Sequence, residues 1–72
     1  MEDNIFLKKV GVRISEFRQS RNLSKADLAK KMIWNRAGIT RIEAGESPTS
    51  IVYYKKVADA LAITLSDLFE GI

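Results

Sequence analysis

Residues 23–45 read LSKADLAKKMIWNRAGITRIEAG, and the spacing of their capping and apolar residues predicts two short helices joined by a tight turn. Ser24 is placed to cap the first helix by accepting a hydrogen bond from a backbone N–H two or three residues on. Asp27 falls in the first turn, where a carboxylate suits the positive end of the helix dipole. Leu28, Ala29 and Met32 then follow at the intervals of one buried helical face, with Lys25, Lys30 and Lys31 largely off it. Asn35 is a good cap for the second helix, whose inward stripe is only Ile39 and Ile42. Arg36, Ala37, Gly38, Thr40 and Arg41 are left to point elsewhere. A helix with so few apolar anchors, two arginines and small residues in its first turn suits a surface that enters a groove.

Size and composition narrow what such a surface can serve. The chain has 72 residues, enough for one domain, and a chain this short buries a smaller share of its surface than a longer one. It has neither cysteine nor histidine. That removes disulfides, thiolate metal sites and the commonest general base and metal ligand, so most hydrolase, redox and zinc chemistries are hard to build. The expectation is no enzyme, no cofactor and no metal. Glu2 and Asp3 near the start, with no long apolar run after them, predict neither signal peptide nor membrane span, hence a cytoplasmic protein.

The net charge of +3 is unevenly spread. Residues 8–41 carry ten Lys and Arg against Glu16 and Asp27, a net +8, whereas residues 1–7 carry −2 and residues 42–72 carry −3. Positive charge is thus concentrated around the two-helix stretch, as an electrostatic footprint for phosphates requires.

The flanks supply packing. Val10, Ile14 and Phe17, four and three apart, predict the inward face of a first helix over Asn4 to Ser20, extended by Phe6. Asn22 can close that helix in the left-handed conformation, and Gly45 can end the second helix of the motif. Thr49 or Ser50 can cap a further helix with Ile51, Tyr54, Val57, Ala58 and Leu61 on its apolar face and Tyr53, Lys55 and Lys56 more exposed. Thr64 and Asp67 form a capping box for a last helix, Leu65 to Glu70. The expected fold is all-α, five helices in a single domain over residues 1–72, without repeats, linkers or low-complexity segments.

The patterns L-S-x-x-x-L-A-x-K-M from Leu23, N-R-x-x-I-x-R-I-E-x-G from Asn35, A-x-A-L from Ala58 and L-S-D-L-F from Leu65 resemble the lambda-repressor-like (Cro-type, XRE-type) helix-turn-helix DNA-binding family. The likeness covers roughly residues 10–69, with the motif at about 24–44, and includes the spacing between elements. One departure stands in the turn, where Ile33, followed by Trp34, replaces the usual glycine. Glycine suits that place because the backbone commonly needs positive φ, which a β-branched residue resists. The turn is therefore expected to be strained or locally altered, with Trp34 covering the gap between the helices. A base-stacking or partner-binding role for Trp34 is the alternative. Gly38 either permits close approach to DNA or is simply tolerated in a first turn.

Carried onto this chain, the resemblance implies base contacts from Arg36, Ala37, Thr40 and Arg41. Arginine can donate two bonds to guanine in the major groove, and Ala or the Thr methyl can pack on a thymine methyl. Ser24, Lys25, Asn35, Ser47 and Arg13 are the expected phosphate contacts. Arg18 and Glu43 are expected to pair and clamp the first helix to the end of the third, two independent surface charges being the other possibility. Leu65, Leu68, Phe69 and Ile72, in a segment over about 64–72, are expected to form a two-fold dimer contact, or else only to close the monomer's core. The function implied is a homodimeric, nucleoid-associated regulator, most simply a repressor, that binds double-stranded DNA at an inverted repeat. A protein-interaction module with secondary DNA binding, such as an antitoxin with a protein partner, is the competing class.

Overall fold

The computed structural model describes residues 2–46 and 50–72, with side chains from Ile5 onward. The described residues form five α-helices and no strand: α1 Glu2–Ser20, α2 Lys25–Lys31, α3 Arg36–Glu43, α4 Ile51–Ala60 and α5 Leu65–Phe69. The all-α class and the number of helices are those the sequence predicts.

Four helices begin on a side-chain cap. The side chains of Ser24, Asn35, Ser50 and Thr64 accept from the backbone N–H of Asp27, Gly38, Val52 and Asp67 respectively. Ser24–Asp27 and Thr64–Asp67 are complete capping boxes, with each carboxylate accepting from the backbone N–H of its cap residue. A cap of this kind stabilises a helix by about 1 kcal/mol. It is Ser50 that caps α4; Thr49 lies outside the described residues.

The four corners share one closure. The N–H of Leu23, Trp34, Glu46 and Ile63 donates to the carbonyl five residues back, at 2.8–3.1 Å. The residue before each of these, Asn22, Ile33, Gly45 and Ala62, is left-handed at φ 57°, 53°, 76° and 59°. This is the Schellman arrangement that satisfies carbonyls at a helix end. Only one of the four is glycine. Of the two outcomes expected at Ile33, the strained one is found, because the turn keeps the geometry of the other corners. A left-handed residue with a Cβ costs about 1–2 kcal/mol, and Ile33, 95% exposed, regains almost none of it by burial.

Val10 and Ile14 of α1, Leu28, Ala29 and Met32 from α2, Ile39 and Ile42 of α3, Tyr54 and Val57 of α4, Leu61 and Leu68 make one buried core. Burying a side chain of this size stabilises by roughly 1.5–3 kcal/mol. Phe17 is half-buried against the core, and Arg18 takes the fully inward place beside it. Phe6 remains exposed, with its ring 6.0 Å from that of Phe69. One apolar residue of α4 does not pack as expected: Ile51 is 57% exposed. It stands in the first turn of α4, before that helix meets the core at Tyr54.

α1 crosses α3 at Gly11, where a Cβ would lie 2.3 Å from the Glu43 carbonyl oxygen. The two backbones touch there, and any side chain would force them apart. This contact brings the middle of the longest helix onto the end of α3.

Candidate nucleic-acid interface

α3 is held from beneath and left bare above. Gly38, Ile39 and Ile42 are buried, while Arg36, Ala37, Thr40 and Arg41 are exposed. At about 100° per residue, Ala37, Thr40 and Arg41 share one face of the helix and Arg36 stands at its flank. Ala44, exposed at the end of α3, extends that face by one further turn. The sequence reading did not single it out, although its position seven residues after Ala37 was the available signal.

Three elements meet below this face on one guanidinium. Arg18 Nε donates to Glu43 Oε2 at 2.7 Å, Nη2 donates to Glu43 Oε1 at 3.3 Å, and Nη1 donates to the Leu23 carbonyl at 2.8 Å. The Arg18 and Glu43 side chains are only 10% and 8% exposed. The fork of Arg18 therefore ties α1 to α3 through Glu43 and to the lead-in of α2 through Leu23. The start of α2 and the outer face of α3 are thereby set in one relation.

Lys25 at that start lines a shallow concavity with Val12, Ser15, Glu16 and Gln19 of α1, with Thr40 and Glu43 of α3, and with Ala44 at its C-cap. One cation, the exposed Glu16 carboxylate, two uncharged hydrogen-bonding groups and the outer face of α3 thus border one surface, with the Glu43 carboxylate neutralised by Arg18. Ser24 and Asn35 flank it with part of their hydrogen-bonding capacity committed. Ser24 Oγ accepts from Asp27 N–H at 3.0 Å, and Asn35 Oδ1 accepts from Gly38 N–H at 2.7 Å. The Ser24 hydroxyl hydrogen and the Asn35 amide NH2 are the donors these residues can turn outward. The Ser24 backbone and side-chain hydrogen bonds hold the Asp27 carboxyl below its ordinary pKa of 3.8, with Lys30 and Lys31 contributing further. Asp27 is thus ionised at neutral pH and committed to the cap.

The remaining expected site residues fall elsewhere. Arg13 is about 200° round α1 from Gly11, so it faces away from α3, and it lies beside Gly71. It thus stands apart from Ser24 and Lys25, the other expected phosphate contacts. Ser47 is outside the described residues. Leu68 is fully buried in the monomer's core, which corrects its placement in a dimer surface: it has no area to offer a partner. Leu65 and Phe69 are half-buried against the core, and Ile72 is 37% exposed. Among the described residues no helix is long and apolar enough to cross a membrane, and no cluster of three or more Asp and Glu could hold a metal ion.

A capped, two-helix unit whose second helix presents a basic, small-residue face defines a helix-turn-helix protein. Comparison with known proteins agrees: a helix-turn-helix family model matches residues 14–68, and the chain belongs to that family of DNA-binding transcription regulators. Among solved structures it is similar to the restriction-modification controller protein C.AhdI from Aeromonas hydrophila, at 32% identity and a TM-score of 0.89, over 96% of this chain and 100% of that one. It is also similar to an HTH_3 family transcriptional regulator from Vibrio cholerae, at 30% identity and a TM-score of 0.85, over 93% of this chain but 38% of that one. No curated protein matches.

Proposed function

We propose that residues 1–72 are a single domain that binds duplex DNA sequence-specifically as a homodimer at an inverted repeat and regulates transcription, most simply by occupying an operator and blocking polymerase. The observation that carries this reading is the outer face of α3, where Ala37, Thr40 and Arg41 are exposed together over a buried ion pair. Arg41 donates to a guanine edge, Thr40 and Ala37 pack on thymine methyls, and Arg36 at the helix start reads a base or holds a phosphate. Lys25, Ser24 and Asn35 contact phosphates and set the register, and Ser47 joins them. Leu65, Phe69 and Ile72, within residues 64–72, supply the two-fold contact that spaces two α3 helices about 34 Å apart. The protein works in the cytoplasm on the nucleoid, needs no cofactor and catalyses no reaction. Likeness to a restriction-modification controller protein supports a regulatory role.

Selection of bound duplexes from a randomised library tests the proposal. Enrichment of an inverted repeat with half-sites about one helical turn apart is the expected result. No enrichment, with weak binding that vanishes at moderate salt, overturns it. The outward Ile5 and Val12 of α1, both exposed, favour one second reading, a module such as an antitoxin that binds another protein. A stoichiometric second chain co-purifying with this one, released when Val12 is made charged, would support that reading.

A further inference from the structure

Trp34 and Gly38 are fitted to each other. A Cβ on Gly38 would lie 2.4 Å from Trp34 Cε2, 2.5 Å from Cζ2 and 2.8 Å from Cδ2. The indole therefore covers the spot where a side chain would begin, on the buried side of the first turn of α3. Its ring also packs on that of Tyr53 in α4, centroids 4.8 Å apart and tilted by 33°. Lys56 Nζ stands 5.6 Å from the Tyr53 ring centroid. The Gly38 backbone is gripped from a second direction, since its N–H donates to Asn35 Oδ1 at 2.7 Å. A glycine inside a helix ordinarily costs about 1 kcal/mol relative to alanine. Here it is the only residue that leaves room for the indole.

We infer that Trp34 is a positioning residue: seated on Gly38 and packed on Tyr53, it fixes the start of α3 against α4 and so sets where Arg36 and Ala37 meet the DNA. The inference rests on the DNA-reading role proposed for α3. It answers the two possibilities left open for Gly38 with a third, because the missing side chain faces the indole and not the outer face. It also explains how a turn without glycine at Ile33 holds its helix steady. The strained corner is followed at once by a ring with contacts on two helices.

Three variants test this: Gly38→Ala, Trp34→Leu and the two together, with Tyr53→Leu as a change that alters no residue of α3. Trp34 is the only tryptophan, so its emission reports the indole without background. In the free protein Gly38→Ala and Tyr53→Leu should each move that emission to longer wavelength; an unmoved spectrum in both overturns the seat of the indole. On DNA, the probes are the duplex enriched by selection and a random-sequence duplex of equal length. Gly38→Ala and Tyr53→Leu should each weaken binding to the selected duplex about tenfold, the share of one well-aligned bidentate base contact, and leave the random duplex within about twofold. In the Trp34→Leu background, adding Gly38→Ala should cost less than about twofold, because the smaller side chain leaves room for the methyl. Equal losses on both duplexes, or an equal cost of Gly38→Ala in both backgrounds, overturn the positioning role. If selection returns no sequence, the DNA-reading role falls, and the emission shift alone decides whether the indole is locked.

Discussion

Replacing Arg18 by Met should be among the most damaging single changes in this chain, and a second substitution should undo most of the damage. Without the guanidinium, both Glu43 oxygens lose their partner at a site where the side chain is only 8% exposed in the parent. Stranding one member of a buried pair costs about 3–5 kcal/mol. The Leu23 carbonyl also loses its donor, which adds about 1–3 kcal/mol if water cannot replace it. A 72-residue domain has a total stability of about 4–11 kcal/mol at the usual 0.05–0.15 kcal/mol per residue. Arg18→Met thus removes a large share of it. Replacing both partners, Arg18→Met with Glu43→Leu, leaves no buried charge, and such exchanges are often neutral or better. Only the Leu23 carbonyl then remains to be satisfied, so the double variant should return to within about 1–3 kcal/mol of the parent. Arg18→Lys should resemble the single loss, because an ammonium cannot reproduce the fork that reaches Glu43 and Leu23 together. Urea unfolding followed by far-UV circular dichroism measures all three against the parent. A fall of less than about 1 kcal/mol for Arg18→Met, or a double variant no more stable than the single one, would refute this account of the pair.

Ile33→Gly should raise stability by about 1 kcal/mol in the same assay, because it relieves a left-handed β-branched residue that is almost wholly in water; an unchanged or lower midpoint would show that the corner is unstrained. Gly11→Ala should lower stability by about 2 kcal/mol or more despite alanine's better helix propensity, since its methyl meets the Glu43 carbonyl. The folded-state pKa of Asp27 lies below 3.8, so its contribution is present above that pH and is lost as pH falls through and below it. Asp27→Asn should flatten the acid limb of a stability–pH profile and leave a steeper dependence nowhere. On DNA, Arg41→Ala should cost about 1–3 kcal/mol and relax preference at one base pair, whereas Lys25→Ala should weaken all sequences alike and reduce the salt slope by about one. Binding assays at several salt concentrations on the selected and random duplexes separate the two.

Much of the fold was legible because the signals are local. Ser24, Asn35 and Thr64 each announce a helix start by a side chain that reaches an N–H three residues on, and the stripes Leu28–Ala29–Met32 and Ile39–Ile42 announce the buried faces. What stayed hidden depends on distant parts of the chain. Nothing near Gly11 says that its partner is the Glu43 carbonyl, 32 positions away. Ala62 sits left-handed at φ 59° although alanine carries no turn signal, because the packing of α4 and α5 demands the corner. Leu68 looked like interface for the same reason that it proves to be core: in a five-residue helix, apolarity gives no direction. Trp34 and Gly38 each stood out as odd in sequence. Only the fold shows that one oddity accommodates the other.

The helices of this chain after α1 are five to ten residues long, below the dozen or so that an isolated helix needs to persist in water. The α3 surface therefore has no separate existence as a peptide, and it melts when the core melts. Folding and occupancy become one linked equilibrium. A duplex held at a hundred times its dissociation constant would add about 2.7 kcal/mol to the folded state, a large gain for so small a domain. By the same linkage, a substitution deep in the core would dim every target site equally, and its effect on regulation would be felt as a lower concentration of reader with the choice of sequence unchanged.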